Sequence, residues 1–99
     1  MIHALIDATR VVGTFFEDGN PQEVCIEAIA NHNRAENLLT VTLRAFLRST
    51  EHGHLGETSI PDWLPASEEL RESVGAEEAH ELVEDILASW SLKVKNAIP

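Results

Sequence analysis

Ninety-nine residues and 10.9 kDa leave room for one hydrophobic core and no second one. Seventeen Asp and Glu against seven Lys and Arg give a formal net charge of −10, which removes the positive field that nucleic-acid phosphates or an anionic lipid surface would require. One cysteine, Cys25, excludes an internal disulfide and a CxxC pair, and no stretch approaches the ~18 apolar residues that cross a bilayer, so the chain reads as cytoplasmic.

On a helical wheel, Met1, Ile2, Ala4, Leu5, Ile6, Ala8, Val11, Val12, Phe15 and Phe16 fall in one broad arc, with His3, Asp7, Arg10, Thr14 and Glu17 opposite. That spacing predicts an amphipathic helix over about 2–17, stopped by Asp18-Gly19. Asn20-Pro21-Gln22-Glu23 has the form of a capping box with proline at the first helical position, and predicts a second helix to about Asn31 that buries Val24, Cys25, Ile26, Ala28 and Ile29. A similar signal at Asn33-Arg34-Ala35-Glu36 predicts a third, carrying Leu38, Leu39, Leu43, Ala45, Phe46 and Leu47 inward and ending near Thr50.

The same residues support a rival reading. Val11–Phe16 and Glu23–Ala30 can form strands joined through Asp18-Gly19, a hairpin dipeptide, and Thr40-Val41-Thr42-Leu43 alternates and is β-branched as strands are. Gly13 also counts against a helix, at about 1 kcal/mol relative to Ala.

Residues 51–66 hold two glycines and two prolines without a period and read as a long loop. Ser67 is placed to cap a short helix, Glu68–Val74, closed by Gly75. The last helix, about Ala76–Lys95, carries the stripe Ala79, Leu82, Val83, Ile86, Leu87, Trp90 and Val94. The expectation is an all-α fold, one domain over 1–99 built as a compact bundle of four to five helices. The alternative is α+β, an N-terminal β-hairpin packed on two to three helices.

Charge is the main functional clue. Residues 1–50 carry −2 and residues 51–99 carry −8. Glu68, Glu69, Glu72, Glu77, Glu78, Glu81, Glu84 and Asp85 crowd into eighteen residues with one base, Arg71. Acids in first helical turns favour the helix dipole and keep a small protein soluble, which explains some of them without any partner. A docking surface for a basic protein is the functional alternative, with Glu68, Glu72, Glu77, Glu78, Glu81, Glu84 and Asp85 as its contacts and Trp63, held between Pro61 and Pro65, as a hydrophobic anchor. Trp63 has an equally simple structural role, plugging the end of the bundle.

Other chemistry is weakly signalled. Glu51, His52, His54 and Glu57 share one glycine-punctuated segment and are weak metal candidates, since their spacing matches no standard ligand motif. His3, His32 and His80 are scattered and read as surface or boundary residues. Cys25 reads as a small core residue, Trp90 as core, and the Phe15-Phe16 pair as core or as a self-association face. There is no phosphate loop, GxSxG, HExxH or tyrosine. The expectation is therefore a non-catalytic module without cofactor that binds a basic protein, of inhibitor or immunity type, with a homodimer through the N-terminal helix as the alternative.

Overall fold

The computed structural model describes residues 3–49 and 61–99. Four strands, β1 (His3–Glu17), β2 (Asn20–Asn33), β3 (Leu38–Ser49) and β4 (Glu68–Ser73), form one antiparallel sheet in the order β1-β2-β3-β4, followed by one helix, α1 (Ala76–Ala97). The all-α expectation is overturned. The three N-terminal segments expected as helices are strands, and the segment expected as a short helix at 68–74 is β4. With β1 a strand, self-association through an N-terminal helix falls as well. The hairpin alternative anticipated β1, β2 and the strand character of Thr40–Leu43, but one helix is present among the described residues where it asked for two or three.

Each misread signal has a local cause. Asp18 (φ 51°) and Gly19 (φ 81°) both occupy the left-handed region, which makes a two-residue hairpin turn between the facing pair Glu17 and Asn20. Asn20-Pro21 therefore opens a strand, with Pro21 opposite Phe16. At the next turn the capping interaction does form: Asn33 Oδ1 accepts the amides of Ala35 at 3.0 Å and Glu36 at 3.3 Å. Asn37, at φ 51°, then breaks the incipient helix and turns the chain into β3. In β1 a bulge between Val11 and Gly13 shifts the register. Alternation is lost at that point, and the doublets Val11-Val12 and Phe15-Phe16 imitate helical spacing.

The core lies between the sheet and α1. Val24, Ile26, Ala28 and Ala30 of β2 and Leu39, Val41, Leu43 and Ala45 of β3 meet Ala79, Val83, Leu87, Trp90 and Val94 of α1. On both strands these are every second residue, and on α1 they recur at three- and four-residue spacing, so each element turns one face inward. Full burial of one such aliphatic side chain stabilises the fold by about 1.5–3 kcal/mol. Trp63 joins this core at one end, edge-on to Phe15 with ring centroids 5.1 Å apart, and Leu64 beside it is buried.

The opposite face of the sheet has no helix over it among the described residues. Two cross-strand ion pairs run along it, Glu27–Arg44 at 3.0 Å and Glu23–Arg48 at 3.1 Å, with the Arg44 guanidinium 4.9 Å from the centre of the Phe46 ring. Cys25, fully buried, sits in register between Val11 and Phe46. It is core-like as expected, but on the sheet face away from α1.

Candidate functional site

The expected acidic surface partly survives the change of fold. Glu77, Glu78, Glu81, Glu84 and Asp85 are all exposed on α1. At 100° per residue they fit an arc of about 120° on the side turned away from the buried stripe. They form one outward surface. Glu84 is neutralised there by an ion pair with Arg10 of β1. Among the described residues no base pairs with Glu77, Glu78, Glu81 or Asp85.

The β4 acids belong to a different wall. Glu68 and Glu72 alternate with Leu70 on the helix side of the sheet, opposite Leu43 and Leu39 of β3, whereas Glu69 turns to the other face and pairs with Arg71 at 3.0 Å. Glu68 reaches across to Lys93 of α1, Oε1 to Nζ 2.7 Å. That hydrogen bond holds its carboxyl below the usual glutamate range, helped by the nearby Trp90 indole and the Lys93 charge.

Trp63 is half-buried, edge-on to Phe15. His80 is exposed, but His32 is not a boundary residue: it is 1% exposed, with Nε2 2.8 Å from the Val74 carbonyl oxygen. Glu51, His52, His54 and Glu57 lie outside the described residues. Within those residues no group of three or more His, Cys, Asp and Glu could hold a metal ion, and no helix is long and apolar enough to cross a membrane.

Two clefts of about 270 Å³ each flank α1 on its β4 side. Val74, Leu82 and the acids Glu78, Glu81 and Asp85 line one; Leu70, Ile86, Ser89 and Trp90 line the other, closed at the end by the Glu68–Lys93 pair. Sequence reasoning placed Glu68, Glu78, Glu81 and Asp85 but missed the apolar floor they border. The available signal was Glu-Glu-Leu-Arg-Glu-Ser, a single apolar residue flanked by charges, which is the pattern of a short edge strand with one inward position.

No family model, curated protein or solved structure matches the chain. The site therefore has to be read from its own chemistry.

Proposed function

We propose that this chain is a small non-catalytic protein-interaction module that docks a cationic partner on the outer face of α1. The observation that carries this reading is the single arc of Glu77, Glu78, Glu81 and Asp85, exposed and without an ion-pair partner among the described residues. Like charges at i, i+4, as in Glu77–Glu81–Asp85, repel one another by a few tenths of a kcal/mol per pair, and a cationic partner relieves that repulsion on docking. An inhibitor or immunity-type protein that occupies a basic site in its target is the form of this role that suits a compact acidic domain. Its encounter rate rises through electrostatic steering and falls with salt.

The test is capture from host extract at low and high salt, comparing wild type with Glu77→Lys/Glu81→Lys. Basic partners retained by wild type at low salt, released at high salt and absent from the variant support the reading. Identical partners for both proteins refute it.

A second reading, a homodimer without a basic partner, is favoured by Val11 (49% exposed), Phe16 (68%) and Ile29 (41%), apolar side chains exposed on the sheet. Light scattering separates the two: a dimer that persists in high salt supports the second, and a salt-independent monomer removes it.

A further inference from the structure

β4 is the terminal strand of the sheet, and among the described residues nothing pairs with its outer edge. Such an edge presents a row of unpaired N–H and C=O groups, a template for one more strand. α1 does not close over it. The helix packs on β1, β2 and β3, and none of its Cα atoms comes within 8 Å of a Cα of β4. The space between edge and helix is the groove that holds both clefts.

The groove wall also carries a spectroscopic reporter. Trp90 is 5% exposed and stands in the wall of the second cleft, where its indole helps to hold the Glu68 carboxylate in its charged form.

We propose that the β4–α1 groove receives an extended segment of a partner protein as a fifth strand, paired to the outer edge of β4. Alternate side chains of that segment enter the two clefts, with Lys or Arg at the positions that meet Glu78, Glu81 and Asp85. This rests on the cationic-partner reading above and specifies how the partner engages. Inward side chains of a strand recur about every 6.8 Å, and successive groove-lining positions of α1 (Leu82, Ile86, Ser89, Lys93) about every 4.5–6 Å, so an added strand keeps near step with the helix over a few residues. A mainly acidic edge disfavours a second copy, because Glu68, Glu69 and Glu72 of one β4 would approach the same residues of another. The other outer edge, on β1, is interrupted by its bulge, which makes it a poorer template.

The test uses the full chain, isotopically labelled, and the capped octapeptide Thr-Lys-Thr-Val-Thr-Val-Thr-Lys, whose alternate positions offer two apolar side chains between two cationic ones in either direction. Binding is expected to shift the Trp90 indole N–H resonance and to slow hydrogen exchange at alternate amides of Glu68–Ser73 by about tenfold or more. Two further peptides are N-methylated, one at every Thr and one at every Lys and Val. Only one of these sets faces β4, so one methylated peptide should bind and the other should not. Glu81→Lys/Asp85→Lys should weaken the octapeptide at low salt. No binding, or equal binding of both methylated peptides, overturns strand addition. Shifts confined to the acidic face of α1 overturn it too, while leaving the cationic-partner reading intact. Protection of β4 amides that depends on protein concentration without peptide assigns the groove to a second copy and overturns the proposal. Strand addition with host partners unaffected by Glu77→Lys/Glu81→Lys refutes the acidic-face reading alone.

Discussion

His32 Nε2 lies 2.8 Å from the carbonyl oxygen of Val74, so the far end of β2 is tied to the residue that leads from β4 into α1. A carbonyl only accepts, which makes Nε2 the protonated nitrogen. The Val74 N–H in turn donates to the Asn37 carbonyl at 2.8 Å. With both backbone groups of Val74 held, the start of α1 is anchored to the sheet, and the width of the β4–α1 groove is set at that end.

His32→Phe keeps most of the buried volume and removes the donor. It should cost about 0.5–1.5 kcal/mol, because the Val74 carbonyl loses its side-chain partner in a part-buried place. Urea denaturation measures this, and His32→Gln should recover part of the loss. An unchanged midpoint for the Phe variant would mean that the bond contributes nothing.

Cys25 gives a prediction at alkaline pH. Burial pushes its thiol up from the ordinary value of 9.0, against a smaller opposing effect of the Arg48 charge. A group whose pKa is raised on folding contributes stability that is fully present below its unfolded value and lost as pH rises through the folded one. Wild type should therefore lose stability above pH 9.0 more steeply than Cys25→Ala, and its thiol should react with a disulfide reagent far more slowly folded than in denaturant. Parallel stability curves for the two proteins would contradict the assignment.

The Glu68–Lys93 pair acts at the acid end. The carboxyl is held low on folding, chiefly by its hydrogen bond to Lys93, so its contribution is present above the unfolded glutamate value and lost as pH falls through the folded one. Lys93→Ala should move the Glu68 titration, followed by carboxyl resonances, upward toward the normal glutamate range. A midpoint that stays in place would show that Lys93 is not the cause. Because the pair closes one end of the second cleft, the same variant should also alter octapeptide binding there.

Legibility in the sequence varied with the kind of signal. α1 was read nearly to its ends, because Ala79, Val83, Leu87, Trp90 and Val94 recur with an undisturbed helical period and nothing in the segment competes with it. β3 alternates cleanly in the structure, with Leu39, Val41, Leu43 and Ala45 inward and Thr40, Thr42, Arg44 and Phe46 outward, yet the Leu38-Leu39 and Phe46-Leu47 doublets also satisfy a helical wheel. In β1 the bulge at Val11/Gly13 erased the alternation altogether. The capping pattern at Asn33 was real chemistry put to another use, since an Asn side chain that accepts the next amides serves a turn as well as a helix.

By itself the sequence determined the surplus of negative charge toward the carboxyl end, the C-terminal helix with its inward stripe and the outward arc of acids on it. These are properties of composition and of local period, which a chain carries before it folds. Tertiary structure alone decided that the first three segments are strands, that Glu68 and Glu72 stand on a sheet edge, and that an apolar groove lies between that edge and α1. Strand pairing joins residues far apart in the chain, such as Leu43 with Glu68, and a groove exists only once two separately formed elements have been held apart at a fixed distance.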